Sequence, residues 1–330
     1  MDTAITPTAV VTGGAGFLGS HLVGLLLEEG YHVIAVDSLW TGSTGNVTKF
    51  QNHPNYIFLR HNVAEPFPEQ LENASRIYNL ACPASPKRFP QAPLGILETC
   101  YVGTKNVLDL AYRSGARVLL ASTSEVYGDP LVCPQPENYW GNVNSFGGRS
   151  CYDEGKRVAE ALAYGYRLEK NVDVRIARIF NSYGPGIRPD DGRIVPNFIA
   201  AALRQEDIKI TGDGTASRCF QYAGDCAMGI YRLMESSVLT PVNIGREEET
   251  TVGEMANLIN DIVAEKTGRP KVGIVFGPKP DDDPYRRVPD AGKAKRELGH
   301  EAKIGLKEGL EKTVEWFANL REFGPLQAKI

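Results

Sequence analysis

The sequence predicts an α/β protein with a doubly wound parallel sheet and a smaller α/β lobe in its C-terminal half. Short apolar runs alternate with helical patterns through the first 180 of the 330 residues, and a glycine-rich turn joins the first run to the first helix. The second half alternates less regularly. We expect domains over residues 1–180 and 181–330, with the chain crossing back to the first domain at about 220–250.

The glycine-rich turn follows an apolar run at residues 9–11, which predicts a buried strand. Glycines spaced three residues apart come next, and a helical pattern begins among them: Gly13, Gly16, Phe17, Leu18 and Gly19. Glycines let a pyrophosphate approach the backbone closely, and the N–H groups at the start of a helix attract its charge. The next apolar run ends in Asp37, where an acid bonds a ribose 2′-hydroxyl in a dinucleotide-binding Rossmann fold. This order predicts NAD as cofactor, because Asp37 would repel the 2′-phosphate of NADP.

The first half contains further strand and helix patterns. Strands are predicted at residues 33–36, 56–59, 76–80, 117–122 and 174–180, and helices at 95–114 and 151–170. Because ligands bind beyond the carboxyl ends of parallel strands, the residues at those ends should line one cleft. They are Asp37 and the segments 81–83, 122–125 and 181.

The second half predicts a smaller lobe that closes over this cleft. Helices are expected at residues 197–204, 252–266 and 306–320. Short strands are expected at 208–210 and 220–222, around a turn at 212–214, and the run 242–245 is expected to return to the main sheet.

Composition excludes several classes of protein. The hydrophobic content of 42% and charged content of 23% are ordinary for a soluble globular protein, and the net charge of −4 argues against a nucleic-acid partner. No apolar run approaches the ~20 residues that span a membrane, and the first strand leaves no room for a signal peptide. Six cysteines without C-x-x-C spacing predict reduced thiols in a cytoplasmic protein. No metal is expected, and the acids 281–283 are interpreted as a solvated turn.

Tyr152 and Lys156 carry the predicted chemistry. They stand four residues apart at the start of a predicted helix, so they share one face. A phenol with a pKa of ~10 is a poor base at neutral pH, and a nearby lysine ammonium favours the phenolate. Tyr152 can then take a proton from a sugar hydroxyl while the carbon gives hydride to NAD⁺. Lys156 can also hold a nicotinamide ribose hydroxyl.

Taken together, the glycine turn and the Tyr152–Lys156 pair resemble the extended short-chain dehydrogenase/reductase superfamily over almost the whole chain. Longer motifs resemble the UDP-glucuronate decarboxylases, or UDP-xylose synthases: residues 80–86, 122–130, 139–141, 149–157, 178–181, 191–193 and 220–222. This resemblance implies that C4 of UDP-glucuronate is oxidised by NAD, that the β-keto acid loses CO₂, and that returned hydride gives UDP-xylose and regenerates NAD. It also implies a homodimer with a four-helix interface formed by helices 95–114 and 151–170.

The same resemblance assigns the site residues. Tyr152 is the base and later the acid, tuned by Lys156, and Thr123 bonds the C4 oxygen. Ser124 and Glu125 lie beside C5 and the carboxylate, and Glu125 controls the transfer of the proton at C5. Further cofactor contacts are Asn62, Val63, Leu80, Ala81 and Pro83. Substrate contacts are Pro83, Ser85, Asn181, Asn197 and the diphosphate-binding arginines Arg218 and Arg287.

Six positions depart from the family pattern and leave the exact sugar nucleotide open: Asn62, Gly95, Glu98, Cys100, Ser145 and Thr211. Cys100 stands where the family has an asparagine that holds the active-site backbone, and Asn62 replaces an aspartate that contacts adenine. Three alternatives follow. They are a 4-epimerase of UDP-glucuronate or a UDP-hexose, a decarboxylase of a related nucleotide uronic acid, and an inactive NAD- or nucleotide-sugar-binding protein.

Overall fold

The computed structural model describes residues 6–278 and 286–323. Its strands are β1 (Thr8–Thr12), β2 (His32–Asp37), β3 (Tyr56–Arg60), β4 (Arg76–Asn79), β5 (Arg117–Thr123), β6 (Val174–Ile179), β7 (Ser182–Tyr183), β8 (Ile208–Thr211), β9 (Ser217–Cys219), β10 (Gln221–Tyr222), β11 (Val242–Ile244), β12 (Glu249–Thr251), β13 (Ile274–Gly277) and β14 (Arg286–Arg287). Its α-helices are α1 (Phe17–Glu28), α2 (Thr44–Thr48), α3 (Pro93–Glu98), α4 (Thr104–Ser114), α5 (Ser150–Lys170), α6 (Ile194–Arg204), α7 (Ala223–Glu235), α8 (Val252–Thr267), α9 (Gly292–Leu298) and α10 (Leu306–Ala318). No helix in the described ranges is both long and apolar enough to cross a membrane.

Seven strands form one parallel sheet in the order β3-β2-β1-β4-β5-β6-β11. The first six follow the doubly wound order, in which β2 and β3 lie on one side of β1 and β4, β5 and β6 lie on the other. This arrangement confirms the predicted α/β fold class. It also brings the ends of β1, β2, β4 and β5 to one edge of the sheet, where ligands bind in such folds.

The strands of this sheet are apolar because helices cover both of its faces. Val11, Val33 and Leu119 pack on one side with residues of α1 and α7. Val10 and Val118 pack on the other side with residues of α4 and α5. A parallel strand that is buried on both faces therefore reads as a continuous apolar run, as strands 9–11 and 117–122 do.

Much of the second half packs around a separate hydrophobic core that joins α6, α8 and α10. Three small sheets accompany it: β9 lies between β12 and β14, β8 pairs with β13, and β7 pairs with β10. The strands that flank the 212–214 turn therefore have different partners. β11 instead lies at the edge of the seven-stranded sheet, paired with β6. The division into domains at residue 180 stays a prediction.

Some elements differ from expectation or were not predicted. The helix expected at 95–114 begins at Pro93 and is divided by a π-helical turn at Thr99–Gly103. Helix α7 was not predicted, although Ile230, Leu233 and Met234 lie on its buried face at helical spacing. Helix α8 begins with a capping box in which Thr251 and Glu254 satisfy each other's backbone N–H groups. Short strands such as β9 and β14 have too few residues to show the alternation of apolar and polar side chains that predicts a strand.

Candidate active site

The turn between β1 and α1 has a backbone that only glycine permits. Gly13 has φ +72°, and a Cβ there would lie 2.8 Å from the backbone nitrogen of Ala81. A Cβ on Gly19 would lie 2.0 Å from the carbonyl oxygen of Gly13. Helix α1 follows without a side-chain cap on its first N–H groups. Those donors suit an anion at the helix start, so the turn fits the pyrophosphate of a dinucleotide.

Asp37 ends β2 and lies beside this turn. Its Oδ1 accepts a hydrogen bond from the backbone of Leu39 at 2.8 Å, and its Oδ2 accepts one from Ala15 at 3.1 Å. Burial raises the pKa of Asp37, and the two backbone donors oppose that effect. The carboxylate is thus held in one orientation beside the turn, where it can accept a hydroxyl from a ribose.

The other predicted cofactor residues follow β3 and β4. Asn62 is exposed, and its side chain caps the local turn by accepting from the backbone of Ala64 at 3.1 Å. Val63 is buried. Leu80 and Ala81 are half-buried and Pro83 is buried, directly after β4. These positions line the same edge of the sheet as the glycine turn.

Tyr152, Thr123 and Lys156 are brought together by the contact between β5 and α5. The Thr123 side chain lies close enough to Tyr152 to lower its pKa, and its Oγ1 accepts a hydrogen bond from the backbone of Glu125 at 3.2 Å. Lys156 donates to the carbonyl oxygen of Ala121 at 2.8 Å, and its Nζ lies 5.9 Å from the centre of the Tyr152 ring. Tyr152, Thr123 and Lys156 are all buried. The four-residue spacing of the tyrosine and lysine therefore does place both at the end of β5.

The surroundings of Tyr152 are largely apolar. Its ring stacks on Phe89 with a centroid distance of 5.2 Å. Burial raises the pKa of Tyr152 to about 12, while the Lys156 ammonium and the Thr123 side chain act in the opposite direction. Burial is the larger effect on the Tyr152 pKa in the free protein, and the Lys156 ammonium opposes it.

Glu125 lies beside this group within a cluster of arginines. Arg287 meets it with two hydrogen bonds of 2.8 and 2.9 Å, and Arg149 meets it at 2.8 Å. Burial by itself would raise the pKa of Glu125, but Arg287 and Arg149 outweigh burial and hold the pKa below its ordinary value. The half-buried glutamate is therefore ionised at neutral pH.

Arg218 and Arg287 were predicted as a pair of diphosphate contacts, and the fold makes them neighbours. They occupy facing positions on the parallel strands β9 and β14, and both are buried. Arg218 also contributes to the low pKa of Glu125. The adjacent Arg286 instead forms an exposed ion pair with Glu249.

The remaining predicted site residues come from four different segments of the chain. Ser124 is buried, and the Ser85 hydroxyl donates to the carbonyl oxygen of Asp191. Asn181 and Asn197 are half-buried, after β6 and in the first turns of α6. The Ser85 contact joins the segment after β4 to the loop before α6, and both border the cleft.

Two charged residues of the site were not assigned a role from the sequence. Arg149 precedes α5 and contacts Glu125. Asp153 is buried in the first turn of α5, its Oδ2 lies 3.8 Å from Arg149 Nε, and its Oδ1 has no hydrogen-bond partner among the described residues. Burial and the nearby Glu125 raise the pKa of Asp153 to about 7. The four-residue spacing of Arg149 and Asp153 was the available indication that they share a helix face.

Within the described ranges, no cluster of three or more histidine, cysteine or acidic side chains could hold a metal ion. The acids 281–283, interpreted from the sequence as a solvated turn, lie outside those ranges. The roles predicted for individual site residues stay predictions.

Comparison with known proteins supplies the relationship. A family model described as GDP-mannose 4,6 dehydratase matches residues 10–313. UDP-glucuronic acid decarboxylase 4 of Arabidopsis thaliana is 50% identical over 315 residues, which are 96% of this chain and 69% of that protein. The chain belongs to the UDP-glucuronic acid decarboxylase family. Another family member, UDP-glucuronic acid decarboxylase 1 of Danio rerio, is 48% identical over 309 residues, which cover 94% of this chain and 72% of the relative.

Solved structures show the same architecture as this family member. A UDP-glucose 4-epimerase from Thermotoga maritima, crystallised with UDP-glucose, superimposes with a TM-score of 0.84 at 30% identity, covering 94% of this chain and 98% of the epimerase. A double mutant of dTDP-glucose 4,6-dehydratase from Streptomyces venezuelae, with NAD and DAU bound, gives a TM-score of 0.86 at 27% identity. It covers 96% of this chain and 98% of the dehydratase. The predicted family and fold are both confirmed.

Proposed function

We propose that this protein decarboxylates UDP-glucuronate to UDP-xylose with a bound NAD that is regenerated in each cycle. The observation that carries the proposal is the ionised Glu125–Arg287 pair beside the Thr123–Tyr152–Lys156 group. An epimerase acting on a neutral hexose has no need of a buried arginine at the reacting ring, whereas a uronic acid brings a carboxylate that such an arginine attracts.

The residues present fit NAD. The glycine turn leaves no room for any Cβ at Gly13 or Gly19, and it leads into the uncapped start of α1. Asp37 would accept the adenosine ribose hydroxyl, and Lys156 would hold the nicotinamide ribose. NAD, when bound, supplies an acceptor for hydride from the sugar C4 carbon and gives the same hydride back.

Tyr152 moves the proton in this proposal. Its Oη takes the proton of the sugar C4 hydroxyl as that carbon is oxidised and returns a proton to the same oxygen at the end. Thr123 would orient both oxygens through its hydroxyl, and Lys156 would stabilise the phenolate, since both groups lower the Tyr152 pKa. Burial raises the pKa of Tyr152 to about 12 in the free protein, and the Lys156 ammonium opposes that effect.

Glu125 and Arg287 act on the departing carboxylate. Arg287 would attract the carboxylate of the substrate. The same guanidinium already donates hydrogen bonds to both carboxylate oxygens of Glu125. Two carboxylates that share one arginine repel each other, and loss of CO₂ relieves the repulsion. The low pKa of Glu125 favours this electrostatic role over the proton-managing role implied by the resemblance.

Recognition of the nucleotide falls to the remaining predicted substrate residues. We propose that Arg218 binds the diphosphate, and that Asn181 and Asn197 contact the diphosphate and the nucleotide. The pairing of Arg287 with Glu125 favours a place for Arg287 at the sugar carboxylate rather than at the diphosphate. Ser85 and Pro83 would then border the sugar.

The deciding experiment is incubation of the purified protein with UDP-glucuronate, followed by mass analysis of the nucleotide sugar. We expect a product lighter by one CO₂, with no net formation of NADH. A product of unchanged mass but different sugar stereochemistry indicates the 4-epimerase. Absence of any product with NAD retained indicates the inactive binding protein, and turnover only with another nucleotide uronic acid indicates the diverged decarboxylase.

We also propose a homodimer in the cytoplasm. Large apolar side chains are exposed along α3, the π-helical turn, α4 and α5: Leu94, Leu97, Tyr101, Tyr112, Val158, Tyr164 and Leu168. A second copy of the chain would cover them in the four-helix interface that the resemblance implies. All six cysteines are free thiols, which agrees with a reducing compartment.

A further inference from the structure

Two cysteines that the proposed reaction does not use lie in contact beside the active site. The sulfur atoms of Cys82 and Cys100 are 3.4 Å apart. Cys82 follows the end of β4 and is half-buried, while Cys100 is buried in the π-helical turn between α3 and α4. The two residues come from different elements, so the fold rather than local sequence brings the thiols together.

Both thiols adjoin the groups that carry the chemistry. A Cβ on Gly155 would lie 3.0 Å from the sulfur of Cys100, and Gly155 stands on α5 between Tyr152 and Lys156. The hydrogen bond from Cys100, together with the Lys156 charge, lowers the pKa of Cys82 to about 7. The pKa of Cys100 is raised, first by that hydrogen bond and then by burial. Cys82 is half-buried and Cys100 is buried, so Cys82 is the sulfur that a peroxide can reach and Cys100 is the thiol placed to react with it next.

We propose that Cys82 and Cys100 form an oxidative modification site, at which a peroxide converts the two thiols into a disulfide and turns the enzyme off. Formation of the disulfide stands on the geometry of the two thiols alone. Only the loss of turnover rests on the proposed function.

The chemistry balances in two displacements. The Cys82 thiolate attacks one peroxide oxygen, the O–O bond breaks, and a Cys82 sulfenic acid and hydroxide are formed. The hydroxide takes up the proton that the Cys82 thiol released on ionising, which gives the first water. The Cys100 sulfur then attacks the Cys82 sulfur, the S–O bond breaks, and the leaving hydroxide takes the Cys100 proton to become a second water. Each sulfur loses one electron, and hydrogen peroxide is reduced to two waters.

The disulfide would disturb the cofactor side of the cleft. The sulfurs have to close by about 1.3 Å to reach disulfide length. Cys82 stands between Ala81 and Pro83, and the turn at Gly13 packs directly on the backbone of Ala81. A displacement of about 1 Å in a reacting geometry can cost about a hundredfold in rate, and we expect a loss of that order.

The test uses the reduced full-length protein, treated with hydrogen peroxide and then with dithiothreitol. We expect an intact mass lower by two hydrogens, a cross-linked peptide that joins Cys82 to Cys100, and turnover of UDP-glucuronate that falls about a hundredfold and recovers on reduction. A Cys133→Ser variant, which removes an exposed thiol and keeps the pair, should behave like the unchanged protein.

Variants of the pair make the result decisive. Cys100→Ser should form no cross-link and should not show the reversible loss of turnover, and Cys82→Ser provides a second variant for the mass measurement if Cys100→Ser does not fold. Oxidation without a Cys82–Cys100 peptide, or a cross-link between other cysteines, overturns the proposal. A cross-link without loss of turnover overturns its effect on the enzyme. A reduced protein that never turns over UDP-glucuronate contradicts the proposed function, while the mass measurement still decides the disulfide.

Discussion

Burial and charge compete at each ionisable residue around Tyr152, and they do not always have the same outcome. Burial is the larger effect on Tyr152 and Asp153, whose pKa values are raised to about 12 and about 7. At Glu125 the arginines Arg287, Arg149 and Arg218 together outweigh burial, and the pKa is lowered. A buried carboxylate stays ionised only where cations meet it directly, which is why the neighbouring acids Glu125 and Asp153 differ.

Tyr152→Phe removes the proposed base and keeps the ring that stacks on Phe89. We expect turnover to fall by about 10²–10⁴-fold, which is the usual contribution of general acid–base catalysis, while bound NAD is unchanged. Turnover is measured by product mass and NAD by its content in the purified protein. Tyr164→Phe, on the exposed face of the same helix, is the matched control. Full activity of Tyr152→Phe would mean that another group takes the proton.

Asp153→Asn should change how stability depends on pH. An aspartate has a pKa of about 3.9 when unfolded, and Asp153 has a pKa of about 7 in the fold. The free energy of unfolding therefore falls as pH rises between those two values, because the unfolded chain releases the proton first. Relative to Asp153→Asn, the unchanged protein should lose several degrees of Tm as pH rises from about 5 to about 8. Parallel Tm curves for the two proteins would show that Asp153 is ionised throughout.

In the turn between β1 and α1, the proposed contact with the cofactor is made by the backbone and not by side chains. Gly13 and Gly19 are required because a Cβ would meet backbone atoms, which cannot move aside as a flexible side chain can. Other glycines of the same helix have no such constraint: a Cβ on Gly24 would lie 3.4 Å from the ring of Phe50, at ordinary contact distance. The two kinds of glycine can therefore be separated by experiment.

Gly19→Ala should abolish NAD binding, because the added methyl would lie 2.0 Å from the carbonyl oxygen of Gly13 and force the turn open. Gly24→Ala, in the middle of α1, should retain NAD and leave Tm unchanged or higher, since alanine is the better helix former. NAD content after purification and Tm measure the two effects. Retention of NAD by Gly19→Ala would contradict the role of this turn as the cofactor cradle.

At the scale of the whole molecule, the two helical layers that cover the main sheet differ in how much apolar surface they expose. Helices α1 and α7 pack together on one side. On the other side α4 and α5 cover the sheet but expose large apolar side chains, including Tyr112 and Leu168. An exposed row of this size along neighbouring helices is typical of a protein interface, and its location near α5 would link assembly to the active-site helix.

The double substitution Tyr164→Glu and Leu168→Glu should convert the proposed dimer into monomers. Both side chains are exposed on α5, so the isolated fold tolerates the charges, while an apolar interface would have to bury four of them across two copies. Light scattering after size-exclusion chromatography measures the mass. Leu131→Glu, an exposed apolar position in a loop, is the control and should leave the mass unchanged. An unchanged dimer in the double variant would place the interface elsewhere.

Much of the fold was predictable because its determinants are local. The strands of the main sheet, the glycine turn and helix α5 follow from periodicity and spacing within short windows. The short strands β9 and β14 were not predicted, although they hold Arg218 and Arg287, because two or three residues carry no period. The same limit applies to the π-helical turn, whose residues read as a continuous helix.

The sequence by itself determined the doubly wound sheet, the fit to a dinucleotide and the shared helix face of Tyr152 and Lys156, since each depends on residues close together in the chain. Only the tertiary structure decided that Arg287 meets Glu125 across 162 residues, that Cys82 contacts Cys100, and that Asp153 is buried. These features depend on the path of the whole chain, because contacts between distant segments form only when the sheet and helices have packed. The charges on which the proposed carboxylate site rests are of this second kind.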